Sequence, residues 1–222
     1  RRGDQGHGQQ EAHGHGQGGL PPPGDRHRIG RPEVEQAIPG TMVMFTLLVL
    51  LTSGSILLVI ERQQGLLRRL ASSPVSRGSV VLGKWASRMV LGMIQIAFAM
   101  AAGTFIPVFG MDWGEQVGAI FLVLVAWAAL CASLGLLLGS LARTEGQSIG
   151  LGVLTANVLA ALGGCWWPIE VTPGFMQQLA LWLPTGWAMD AMHKLVSFQA
   201  PASSVTANVA GLLIAALATG AI

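Results

Sequence analysis

Chemistry in this 222-residue chain has to come from few ionisable groups, because only 11% of the residues are charged and the net charge is +2. Six of the 13 Lys and Arg residues stand between Arg62 and Arg88, in and just after the stretch ERQQGLLRRLASSPVSRGSVVLGKW. Within it, GSVVLGKW (Gly78 to Trp85) comes within one residue of the phosphate-binding pattern G-x-x-x-x-G-K-[ST]. That pattern needs a hydroxyl after the Lys to hold magnesium, and a strand before the loop. Trp85 replaces the hydroxyl and an apolar run comes next, so the chain does not bind ATP catalytically. His7, His13 and His15 in HGQQEAHGHG are metal-type ligands close together, but composition bias in a Gly- and Gln-rich segment accounts for them. No metal site and no catalytic residue is assigned.

Cys131 and Cys165 fall in apolar runs without the spacing of a disulfide framework or a metal site, and read as small packing residues. The apolar runs carry no Asp, Glu, Lys, Arg or His at their expected mid-depth, which counts against a proton- or sodium-driven transporter and an intramembrane hydrolase. Gln95 and Asn157 are the most polar groups there, and interhelical hydrogen bonding accounts for them.

The elements that must position these residues can be read from length and hydropathy. Mean hydropathy is +0.55, and a spanning helix needs about 20 mostly apolar residues. Five runs qualify, over about 41–60, 89–108, 117–141, 148–166 and 205–222. They must be helical, because unpaired backbone amides are too costly in lipid. Residues 1–36 lack large apolar side chains and read as a disordered tail without the features of a signal peptide. Residues 37–222 read as the membrane domain. The chain starts without Met and stops inside an apolar run, so it reads as a piece of a longer protein.

Read as a helix, ERQQGLLRRL puts Leu66, Leu67 and Leu70 on one face and Arg62, Arg68 and Arg69 largely off it, until Pro74 forces a break. Two readings stay open from the residues alone: an interfacial helix with its positive charge inside, or a docking element for a cytosolic partner. Alternation of the spans puts Arg62, Arg68, Arg69, Arg77, Lys84, Arg88 and Arg143 on one side, and Lys194 alone on the other. By the positive-inside bias the first side is cytoplasmic. The tail's arginines then fall outside, against that bias, unless a further span precedes them. Trp85 is expected at the inner boundary, Trp113, Trp166, Trp167, Trp182 and Trp187 at the outer one, and Trp127 mid-span.

On the outer side, Thr172 is placed to cap a helix that begins at Pro173, with Phe175, Met176, Leu179 and Leu183 as its apolar stripe. Pro184 to Gly186 breaks it, and a second helix starts near Trp187 with Asp190 and Lys194 paired at i, i+4. Both pieces are too short to span. They read as re-entrant helices, acting as a lid over a path or packing as a loop. In the third span Gly135 and Gly139 form G-x-x-x-G, which serves packing inside one subunit or a dimer seam.

Three blocks in order, ERQQGLLRRLASSPVSRGSVVLGK, GSLARTEGQ and WWPIEVTPGFMQQLALWLPTGWAMDAM, resemble the permease subunit of the ABC type-2 exporter family over about residues 36–222. The resemblance implies an all-α polytopic membrane protein of about five transmembrane helices here, with a cytoplasmic coupling helix and short outer re-entrant helices. Such permeases usually have six spans, so the first is missing from this chain. The resemblance also implies that Glu61, Arg62, Gly65, Leu66, Leu67, Arg68, Arg69 and Pro74 dock on a separate ATP-binding subunit that carries the ATP and magnesium. Pro168, Glu170, Pro173, Pro184 and Asp190 would belong to the outer gate. A second permease copy and the lipid bilayer are the other partners, nucleic acid is not one, and the location is the bacterial inner membrane. Cargo is expected to be hydrophobic or amphipathic (a drug, lipid or glycan). The reading from another class is a non-transporting membrane scaffold or channel subunit.

Overall fold

The computed structural model describes residues 32–66, 76–105, 113–167 and 169–220, and every regular element among them is helical. Seven α-helices lie wholly among the described residues: α1 (Pro32–Gln63), α2 (Arg77–Phe105), α3 (Val117–Leu141), α4 (Glu145–Leu162), α5 (Gly174–Trp182), α6 (Pro184–Val196) and α7 (Thr206–Gly220). Short 3-10 turns precede α3, α5 and α7.

Among the described residues, four helical segments are long and apolar enough to cross a membrane: Ile38–Gln63, Gly78–Phe105, Val117–Leu141 and Ala202–Gly220. The expected fourth span is α4, whose 18 residues are about 27 Å long at 1.5 Å per residue. Glu145, Gln147 and Asn157 dilute its apolar character, so it falls short of the count of five.

Helix α3 is the axis of the bundle, and α1 runs parallel to it. Leu50 meets Gly135, Ser55 meets Gly139, and Arg62 reaches Ala142. Helix α4 returns antiparallel along α1, with Thr52 against Gly152 and Gly40 against Cys165. Helix α2 descends antiparallel on another flank of α1 and α3, and α7 packs along α3. One end of the bundle therefore collects Glu61, Arg62, Lys84 and the α3–α4 turn. The opposite end collects Gly40, Trp113, and residues 163–167 and 169–206.

Two helix starts differ from expectation. Helix α1 begins at Pro32 and runs through Pro39, although a proline inside a helix removes one backbone hydrogen bond. Membrane helices tolerate that where neighbours and local adjustments satisfy the freed groups. Helix α2 begins at Arg77, so Lys84 and Arg88 lie inside it rather than before it. Its Gly92 lies against Leu50 and Ala128, which stand near the middle of their own helices, so Arg88 sits only one turn from mid-length.

Candidate functional site

At the basic end, Glu61 and Arg62 finish α1 and both turn toward neighbours. Glu61 forms an ion pair with Lys84 of α2, and each side chain is less than a fifth exposed. The Arg62 guanidinium donates from Nη1 to the Ala142 carbonyl at 3.0 Å, and from Nη2 to the carbonyls of Gly139 and Ser140, both at 3.3 Å. The last carbonyls of a helix have no intrahelical partner, and a cation there also meets the negative end of the helix dipole. Arg62 is therefore a cap for α3, supplied by α1.

Gly65 then stops α1. Its φ of +70° lies in the left-handed region, which costs glycine least. Beyond it Leu66 is helical again and exposed. A single surface helix starting at Glu61 is thus corrected: Glu61 to Gln63 continue the membrane helix, and Gly65 separates that helix from Leu66. Leu67, Arg68, Arg69 and Pro74 lie outside the described residues.

The α3–α4 turn completes this end. Thr144 Oγ1 accepts from the Gln147 amide at 3.2 Å, and Gln147 Oε1 accepts from the Arg143 amide at 3.0 Å. The first bond is that of a capping box, while the Gln147 side chain reaches back one residue further, to the residue before the N-cap, and together they start α4 at Glu145, ahead of the expected Ser148. Thr144-x-x-Gln147 is the sequence signal that marks it.

Between the two ends runs a seam of small residues. A Cβ on Gly135 would stand 2.6 Å from the Leu50 carbonyl oxygen, and one on Gly139 would stand 2.9 Å from the Cα and carbonyl oxygen of Ser55. Gly54 of α1 faces Gly135 in turn. The G-x-x-x-G stripe thus packs α3 against α1 within the chain, and backbones meet because no side chains intervene. Trp127, fully buried, donates its indole N–H to the Val43 carbonyl at 3.0 Å.

At the other end the two short helices have different roles. Helix α6 is built in: Thr185, Ala188, Met189, Ala191, Met192, Leu195 and Val196 are buried against α7, α1 and α3. Helix α5 buries only Ala180 and leaves Phe175, Leu181 and Trp182 largely exposed. Pro184 occupies the first turn of α6, ahead of the expected start at Trp187. Pro173 itself stands at the N-cap position of α5, while Thr172 donates to the Ile169 carbonyl at 2.6 Å rather than capping. Asp190 pairs with Lys194 at 2.6 Å as expected, and also accepts from Asn208 Nδ2 at 2.9 Å, which joins α6 to α7. Glu170 lies in the 3-10 turn Ile169–Val171, and Pro168 lies outside the described residues. Burial pushes the Cys165 thiol up to about 12, so at neutral pH it stays protonated and unreactive.

Trp166, Trp167 and Trp182 are exposed at this end, with Trp166 and Trp167 edge to face at 5.6 Å. Trp113 is buried there and donates to Thr104 Oγ1 at 2.9 Å. Trp85 departs from expectation. Its indole N–H turns inward, 3.2 Å from both the Ala129 carbonyl and Ser133 Oγ of α3. Lys84, read from the sequence only as one of the basic-side charges, is the counter-ion of Glu61. Their 23-residue separation carries no local signal, so only the packing of α1 on α2 reveals the pair.

Comparison with known proteins agrees with this architecture. Residues 22–196 match the model of the ABC-2 type transporter family. The linearmycin resistance permease protein LnrN of Bacillus subtilis is 28% identical over 79% of this chain and 44% of its own length. The probable multidrug ABC transporter permease YbhR of Escherichia coli K12 is 24% identical over 82% of this chain and 49% of its own. ABC transporter G family member 20 of Dictyostelium discoideum is 25% identical over 71% of this chain and 21% of its own. The chain thus spans half or less of the length of each of these relatives, and no solved structure matches it. With the family model covering most of a helical bundle that has several membrane-length helices, the chain belongs to the ABC-2 type transporter family and is a multi-pass membrane protein.

Proposed function

We propose that this permease is the membrane-spanning part of an ATP-driven exporter, docked at its basic, cytoplasmic end on a separate ATP-binding subunit and paired with a second permease copy. The observation that carries the reading is the break at Gly65. A membrane helix whose last turn is tied to two neighbours ends in a left-handed glycine, and the chain resumes with an exposed leucine in its most basic stretch. The apolar side chains Leu66, Leu67 and Leu70 fit a groove, and Arg68 and Arg69 fit an acidic rim. ATP and magnesium act on the partner, whose closure pulls the two docked segments together and opens the path outward. At the far end α6 is fixed in the bundle, so the more exposed α5 is the gate element. The names of the bacterial relatives, resistance and multidrug permeases, support hydrophobic or amphipathic cargo and a bacterial inner membrane.

The test is capture of the tagged permease from native membranes in mild detergent, then identification of co-purifying P-loop ATPases. The wild type should bring down one ATP-binding subunit, and both Leu67→Asp and Leu66→Asp should lose it while still inserting in the membrane. Retention of the ATPase by both variants sinks the docking assignment.

A further inference from the structure

Two of the residues that the family resemblance places on the docking surface are already engaged inside the chain. All three acceptors of Arg62 are carbonyls at the end of α3, and Glu61 is held by Lys84 of α2. Both stand within four positions of the Gly65 break. The three longest membrane helices, α1, α2 and α3, are thus joined at one level, immediately before the chain leaves the bundle.

The joints differ from ordinary side-chain packing in a way that matters for motion. A hydrogen bond from a guanidinium to helix-end carbonyls is directional and short-ranged, and an ion pair that is mostly shielded from water is screened less than an exposed one. Both resist separation of helix ends, whereas apolar contacts in lipid hold weakly, because lipid tails replace them at little cost. The centre of the bundle adds a stiff element. Gly135 and Gly139 leave no room between α1 and α3, so a push on the end of α1 cannot be absorbed by sliding within that pair.

Resting on the docked-ATPase reading, we propose that Arg62 and the Glu61–Lys84 pair are transmission residues, not docking residues. They convert displacement of the segment after Gly65 into joint movement of α1, α2 and α3. Arg62 acts as a positioning residue through α3, and Glu61 acts through α2. The partner's surface is left to side chains beyond the glycine.

The experiment uses the permease–ATPase complex in lipid nanodiscs. A nitroxide is placed at Leu141, an exposed position at the end of α3, and the distance between the two copies is measured with and without ATP plus vanadate. The wild type should show an ATP-dependent change in that distance. Arg62→Ala should keep wild-type recovery of the ATPase subunit and lose the distance change. Glu61→Lys and Lys84→Glu should each lose it while keeping wild-type membrane insertion, unfolding midpoint and recovery of the ATPase subunit, which a merely structural role does not predict, and the double exchange E61K/K84E should restore it, which assigns the effect to the pair. Where Arg62→Ala yields too little folded protein, Arg62→Gln and the charge exchange carry the test. An unchanged ATP response in these variants overturns the proposal. Loss of the ATPase from a folded Arg62 variant also overturns it and returns Arg62 to the docking surface. A wild-type permease that recovers no ATPase sinks the docking reading itself, before any variant is made.

Discussion

Helices α2 and α3 lie side by side, both long and apolar enough to cross a bilayer, and they meet opposite environments. In α3, 67% of the apolar window is buried within the chain; in α2 the share is 17%. The residues explain the contrast. Helix α3 carries Ala126, Ala128, Ala129, Ala132, Gly135 and Gly139 among its buried positions, so neighbouring backbones approach it from several sides. Helix α2 points Leu82, Val90, Ile94, Phe98 and Phe105 away from the bundle. In water such a face would demand a cover; in lipid it does not, since hydrocarbon is as apolar as leucine. Small residues mark where the neighbours of α3 approach it most closely.

The largest test of that contrast is at the point of closest approach. Gly135→Leu puts a side chain where even a Cβ stands 2.6 Å from the Leu50 carbonyl. The expected loss is about 3 kcal/mol, the upper end for overpacking, read as a lowered midpoint of thermal unfolding in detergent. A variant as stable as the wild type would mean that α1 and α3 do not touch there.

The two inward-turned tryptophans sharpen the comparison, because each donates to a backbone carbonyl but from a different helix. Trp127 is wholly buried in α3, and Trp85 is half-buried in α2. Trp127→Phe loses a buried hydrogen bond and leaves a void, at a cost of about 2 kcal/mol. Trp85→Phe loses its bonds to Ala129 and Ser133 where lipid refills the space, at a cost of about 1 kcal/mol. The two midpoints, measured in the same detergent, should fall in that order. A reversal would place α2 deeper in the protein than its exposed face allows.

Legibility in the sequence divides along the same line. The apolar runs of α1 and α3 were legible because uncharged stretches of that length have few alternatives. The direction of the G-x-x-x-G stripe was not, since packing within the chain and pairing between copies use the same residues. Charges misled at α2, where Lys84 and Arg88 read as a membrane boundary. Lys84 tolerates its depth because Glu61, distant in sequence, lies beside it. Proline misled at α1 in the same way, because Pro39 is carried inside a helix. In the basic stretch, the reading of ERQQGLLRRL as one helix missed the stop at Gly65, whose φ of +70° no neighbouring spacing announces, while Leu66 is exposed beyond it. The engagement of Arg62 by α3 depends on helix ends meeting in space, which no local spacing encodes. The unequal roles of α5 and α6 were hidden for the same reason: burial of α6 comes from α7, α1 and α3, not from its own composition.

The smallest expected effect is the most discriminating. Ile94→Ala and Phe98→Ala remove large apolar groups from the outward face of α2, where the side chains are 63% and 74% exposed. In a monomer surrounded by lipid, acyl chains fill the vacated volume, and each change should shift stability by less than about 0.5 kcal/mol. In a core position the same truncations cost about 2 to 5 kcal/mol, because a cavity remains. The pair therefore reports whether protein or lipid covers this face. The measurement is the unfolding midpoint of the permease in nanodiscs, taken at several ratios of permease to lipid. Near-neutral values at every ratio assign the α2 face to lipid. A cost above about 2 kcal/mol that arises only where two copies share a disc would show that α2 faces another copy of the chain, and the contrast with α3 would then hold for the single chain alone.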